Sequence, residues 1–219
     1  MGGLDFGVVL VQWPALLRGA AFTLGLTAVA SAGGLALGVA CGWARAWGPK
    51  PLAAAVGVYV ELIRNTPFIV QLFFIYFGLP SLGVKFTPEF ASVLAMVINL
   101  GAYAAEIVRA GIEGTPRGQI EAARSLAMNE WPVFTRVVLP PALGRVWPAM
   151  VSQIVIVMLG SSVCGQIAAQ ELSYQTNLIQ SRTFRAFETI IAAMLMYLAL
   201  SVAVRQALHW VGRKFVFGR

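Results

Sequence analysis

The chain has 219 residues, of which 58% are hydrophobic and 11% charged, with a formal net charge of +7. That balance excludes an ordinary soluble domain. Its basic residues do not form the clustered, aromatic-interleaved face of a nucleic-acid binder, so lipid is an expected partner and nucleic acid is not.

Continuous apolar runs lie near 20–43, 53–79, 90–110, 146–169 and 188–210. Crossing a hydrocarbon core takes roughly 20 helical residues. The runs do not alternate with period two, so helices rather than barrel strands satisfy the backbone in lipid. The predicted fold is an all-α polytopic membrane protein: a single permease-like domain over 1–219, about five transmembrane helices and a loop at 111–145. No cleavable signal peptide is expected, because Asp5 opens the chain and the first span is longer than a signal h-region.

Charge sets the orientation. One set of flanks holds Arg45, Lys50, Arg109, Arg117, Arg124, Arg136, Arg145, Arg205, Arg213, Lys214 and Arg219; the alternate flanks hold only Arg18, Lys85, Arg182 and Arg185. The positive-inside rule places the richer set in the cytoplasm. The N-terminus is then outside, and the C-terminus and the 111–145 loop are cytoplasmic.

The first span carries Gly34, Gly38 and Gly42 on one face, a surface that lets another helix approach closely. Cys41 and Cys164 both fall within spans, which predicts buried thiols rather than a disulfide, and no metal-ligand spacing is present. Gly48-Pro-Lys-Pro51 ends the first helix, and Asn65-Thr66-Pro67 predicts a kink in the second. Glu61 with Arg64 and Glu106 with Arg109 sit three apart, near the inner surface. Interfacial ion pairs that tie helices together are expected there, with a proton relay as the alternative.

In the inner loop, Thr115 reads as an N-cap with Pro116 in the first turn, and a helix is predicted from Arg117 to about Asn129, stopped by Pro132. Ile120, Ala123 and Ala127 share a face, with Leu126 beside them. Such a helix is too short and polar to span. It is expected to lie on the cytoplasmic surface, with Ala122 and Ala123 allowing close approach of a partner and Glu121 pairing with Arg124 at the rim.

The same loop resembles the EAA signature of ABC-importer permease subunits: Glu121, Ala122, Ala123, Leu139 and Pro140 match, and Val137 replaces the usual isoleucine. Ala127 stands where that family usually has glycine, which enters left-handed backbone more freely. Glu61-Leu-Ile-Arg-Asn-Thr-Pro67 through Gln71, the Phe-Phe-Ile-Tyr-Phe-Gly-Leu-Pro80 run, Gly101-Ala-Tyr-Ala-Ala-Glu106-Ile-Val-Arg109, and Gly118-Gln119 extend the resemblance to polar amino-acid permeases over roughly residues 10 to 212.

The resemblance implies a permease subunit of type I fold in the bacterial inner membrane, working by alternating access. It implies a cytoplasmic ATPase dimer that grips the loop at Gly118, Glu121, Ala122, Ala123, Arg124 and Ala127, with Leu139 and Pro140 fixing the return to the membrane. It further implies a second permease, identical or not, and an external substrate-binding protein. The chain has no Gly-x-x-x-x-Gly-Lys-Ser/Thr loop, so ATP and Mg are expected on the ATPase and no cofactor on this chain.

Polar residues inside spans are the candidates for the solute pathway: Ser161, Ser162 and Gln166 first, then Asn99 and Tyr103, with Gln153, Tyr197 and Ser201 also considered. Arg182 and Arg185, in the polar external segment 171–188, are candidates for docking a binding protein or guiding solute. They tilt the expectation towards glutamate or aspartate among polar amino acids. A membrane-embedded enzyme is disfavoured: His209 beside Trp210 reads as an interfacial anchor, and no nucleophile, base and orienting group converge in sequence. An ATP-independent channel is the other alternative.

Overall fold

The computed structural model describes residues 5–216, so Arg219 of the cytoplasmic cation set lies outside the described residues. A one-turn helix at Gly7–Val11 leads into α1, Trp13–Trp47, which Gly48 and Pro49 end. Next come α2, Lys50–Arg64, and α3, Phe68–Phe73, which runs on through a wide turn at Phe74–Gly78 and a 3₁₀ turn at Leu79–Leu82. Helix α4, Pro88–Glu113, opens on Thr87, whose hydroxyl accepts the Phe90 N–H. The loop helix α5 covers Arg117–Ser125. Then follow α6, Leu139–Gly160, with a 3₁₀ tail at Ser161–Ile167; α7, Leu172–Thr183; and α8, Ala186–Val211.

Four segments are long and apolar enough to span: Trp13–Trp47, Pro88–Glu113, Glu130–Ile167 and Ala186–Lys214. The fifth expected span is not one helix. Lys50–Arg64 and Phe68–Leu82 meet at 106°. Pro67 lacks an amide and pushes Thr66 out of helical backbone, so the chain turns there rather than bending gently. Apolar side chains point outward along α1 and α8, including Leu24, Val29, Leu195, Leu198 and Val202, as a lipid-facing surface requires.

Helix α4 is the hub, packing on α1, α2 and α6. Its buried face is Ala91, Ala95, Leu100, Ala104, Ala105 and Val108. The glycine face of α1 packs within the chain against this row. A Cβ on Gly34 would lie 2.8 Å from Leu100, one on Gly42 2.7 Å from Val108, and one on Gly38 inside the van der Waals radius of the Ala104 Cβ. Glycine at these three positions sets how closely the two backbones approach, so dispersion contact replaces the missing hydrophobic drive.

Candidate functional site

Helix α5 begins at Arg117, with Pro116 rather than Thr115 at the cap; the Thr115 hydroxyl is buried without a hydrogen bond. The helix also ends earlier than predicted, at Ser125. There the Ala127 N–H donates to the Arg124 carbonyl at 2.9 Å and the Met128 N–H to the Ala123 carbonyl at 3.3 Å. This is a Schellman turn, and Ala127 occupies its left-handed position with φ 54°. The family's glycine position is thus a real bend, and this chain makes it with alanine.

The faces of α5 divide differently from the sequence expectation. Ala123 is buried in the protein's own core with Ile112, Val133 and Phe134. Gly118, Glu121, Ala122, Arg124, Leu126 and Ala127 face outward, and Leu126 is 78% exposed. Arg124 does not pair with Glu121. Its Nε and Nη2 grip both carboxylate oxygens of Glu130 at 2.9 and 3.0 Å, while the Trp47 indole N–H donates to Glu130 at 3.2 Å.

Trp43, Trp47, Trp131 and Phe134 stack edge to face behind this clamp, with ring centroids 6.0 to 6.4 Å apart. The loop is therefore seated on the inner end of α1. Neither the aromatic cluster nor Glu130 was foreseen; the aromatic residues flanking the spans were the available signal. Pro140 falls in the first turn of α6, after a wide turn at Val133–Val138 that accommodates its missing amide. Leu139 begins that helix, half-buried.

Above the loop lies an ion cluster. Glu106 binds Arg109 on its own helix at 2.9 Å, Arg45 on α1, and Arg64 on α2 at 3.7 Å; Arg109 also binds Glu113 at 2.8 Å. The expected Glu61–Arg64 pair is replaced by this inter-helix one. Every partner of Glu106 in the cluster is an arginine, which keeps its proton, so the cluster ties helices together and does not relay protons.

Further out, a cavity of about 420 Å³ opens where three elements meet. The α2–α3 turn contributes Thr66, Pro67 and Phe68; α4 contributes Asn99 and Tyr103; α6 contributes Gln153, Ile156, Val157 and Gly160. Buried Gln71 braces the turn: its Nε2 donates to the Ile63 carbonyl at 2.7 Å and the Thr66 carbonyl at 3.0 Å, and its Oε1 accepts from Asn99 Nδ2 at 3.0 Å. The helix break leaves carbonyls without partners, and this amide satisfies them.

Ser161, Ser162 and Gln166 do not line that cavity. Ser161 is buried and donates to the Met158 carbonyl, Ser162 donates to the Leu159 carbonyl, and Gln166 points outward. Ser201 donates to the Leu198 carbonyl, and the Tyr197 hydroxyl donates to Glu171 at 2.6 Å. Glu171 itself has no solvent exposure and caps α7, accepting the Ser173 and Tyr174 N–H groups, each at 2.7 Å. Burial pushes its carboxyl above the usual range, with those three hydrogen bonds opposing. Arg182 is exposed beside a small cavity with Gln12, Arg18 and Gln175, whereas Arg185 binds Glu188 at 3.3 Å. The buried free thiols Cys41 and Cys164 sit on α1 and the 3₁₀ tail. Among the described residues no cluster of three or more His, Cys, Asp or Glu is arranged to hold a metal.

The profile of the family described as "Binding-protein-dependent transport system inner membrane component" matches residues 34–216. The chain belongs to that permease family. It is 35% identical to the glutamine transport system permease protein GlnP of Escherichia coli (strain K12), over 96% of this permease and 97% of that protein. It is 32% identical to the probable glutamine ABC transporter permease protein GlnM of Bacillus subtilis (strain 168), over 96% and 98% respectively. A solved amino acid ABC transporter with histidines superposes with a TM-score of 0.87 at 33% identity, covering 98% of this permease and all of that chain. The permease is thus a multi-pass helical membrane protein of the type I ABC permease fold.

Proposed function

We propose that this permease is the transmembrane subunit of an ATP-driven importer of polar amino acids and forms half of the translocation pathway by alternating access. The observation that carries this is the rigid, outward-facing α5. A helix clamped at Arg124–Glu130–Trp47 and closed by a Schellman turn transmits a partner's motion as a rigid body rather than absorbing it. The occupant is a cytoplasmic ATPase dimer, which carries ATP and Mg. A second permease completes the pathway, and an external binding protein delivers solute. The N-terminus is outside and the C-terminus inside, following the cation distribution. Solute passes the cavity at Thr66, Asn99, Tyr103 and Gln153. The amino-acid permeases among the relatives support the substrate class.

The test is reconstitution of the complete complex in vesicles with ATP inside and binding protein outside. Uptake of a radiolabelled polar amino acid should require ATP and all subunits. Equal uptake without ATP would turn the reading towards a channel.

A further inference from the structure

The cavity between the α2–α3 turn, α4 and α6 is lined by four polar side chains, and their commitments differ. Thr66 is saturated, its hydroxyl donating to the Leu62 carbonyl at 2.9 Å and accepting from Gln71 at 2.9 Å. Asn99 has spent an amide proton on Gln71, which leaves its Oδ1 available. The Gln153 amide and the Tyr103 hydroxyl, both half-buried, have no hydrogen-bond partner among the described residues. The available set is therefore a complete amide, a phenol and one amide oxygen. An amide is both donor and acceptor, so its complement is a group that is both as well.

No carboxylate, lysine or arginine lines the cavity. The charge that adjoins it is Arg64, whose guanidinium lies 5.4 Å from the centroid of the Tyr103 ring. Glu106, one helical turn beyond Tyr103, is already held by three arginines. A side-chain ammonium or guanidinium entering here would have no free counter-charge. A single positive charge at Arg64 matches the α-carboxylate that every amino acid carries, so a second carboxylate would be left unpaired. Burying an unpaired charge outweighs any hydrogen bond gained.

Resting on the reading of the chain as a permease, we propose that Gln153 is its specificity-determining residue and that the cavity selects amino acids with an uncharged, hydrogen-bonding side chain, of the amide and hydroxyl class. The expectation of an acidic solute rested on Arg182 and Arg185, which stand at the external end and not at this cavity.

The test uses the permease purified with its ATPase partner and without the binding protein, whose own preference would otherwise decide the result. Equilibrium binding of radiolabelled glutamine is competed with glutamate, arginine and leucine. Glutamine should bind, with each competitor weaker by about tenfold or more, because a site built for a polar group rejects what leaves it unpaired. Gln153→Leu should lose glutamine binding while ATPase co-purification is unchanged. Gln153→Glu should bring arginine to parity with glutamine or beyond it. Competition by arginine or glutamate equal to glutamine in the unaltered complex overturns the proposal, as does an unaltered preference in both variants. In either case ATP-driven uptake by the complete complex would leave the permease reading standing. Loss of uptake for every amino acid would instead defeat that reading.

Discussion

Arg45 near the inner end of α1 and Arg109 on α4 bind the same carboxylate, that of Glu106, and so lock two helices at the membrane edge directly above the loop. Removing the acid leaves both guanidinium groups without that partner in a half-buried setting. Glu106→Ala should destabilise the protein by about 1–3 kcal/mol, the scale of hydrogen bonds to charged groups. Thermal unfolding in detergent checks this. Arg64→Ala, which removes only the 3.7 Å contact, should cost clearly less.

The α1–α4 approach depends on glycine. Gly38→Leu should force the helices apart or prevent accumulation, since the Ala104 side chain already fills the space. Overpacking of this kind typically costs about 1–3 kcal/mol. Gly38→Ala combined with Ala104→Gly should recover most of the loss. Failure of that pair to recover stability, measured by fluorescence-detected gel filtration after heating, would place the contact elsewhere.

Ala127 holds a left-handed backbone at φ 54°. That conformation costs an L-residue roughly 1–2 kcal/mol, partly offset in a glycine variant by the greater freedom of its unfolded chain. Ala127→Gly should therefore stabilise the loop by about 0.5–1 kcal/mol and slow its amide exchange without impairing transport. Faster exchange in the variant would show that alanine is not strained there.

Part of this was legible in the sequence. Four-residue glycine spacing announced a close helix contact, and Pro67 announced a break, because both effects are local to the backbone. Two things were not. Ala122 and Ala123 are equally small, so nothing in their chemistry shows that one faces out and the other into the core. Glu61 and Arg64 have the right spacing for a pair, but spacing registers only neighbours on one helix. It cannot see Glu106 arriving from α4 with a better-placed charge. The cavity was half visible for the same reason: Asn99 and Tyr103 stood out as polar residues in a span, while Thr66 joins them only through the 106° turn.

Glu171 makes the packing of α7 sensitive to pH. Its folded pKa is raised, so the folded state holds more protons than the unfolded state between the unfolded value of about 4.3 and the raised one. Stability should be full below that window and fall as pH rises through it. Glu171→Gln, which stays uncharged, should flatten the dependence. Unfolding midpoints across pH 4 to 8 for both proteins give the comparison, and parallel curves would remove Glu171 as the source.

The central claim is that an ATPase grips the outward face of α5. Its most direct test is a photo-crosslinker placed at Leu126, 78% exposed, and in a second protein at Ala123, 5% exposed, in membranes that contain the ATPase. The account predicts an ATPase adduct from position 126 that changes in yield when ATP binds, and little or none from position 123. An adduct from neither position, or equal adducts insensitive to ATP, would contradict it.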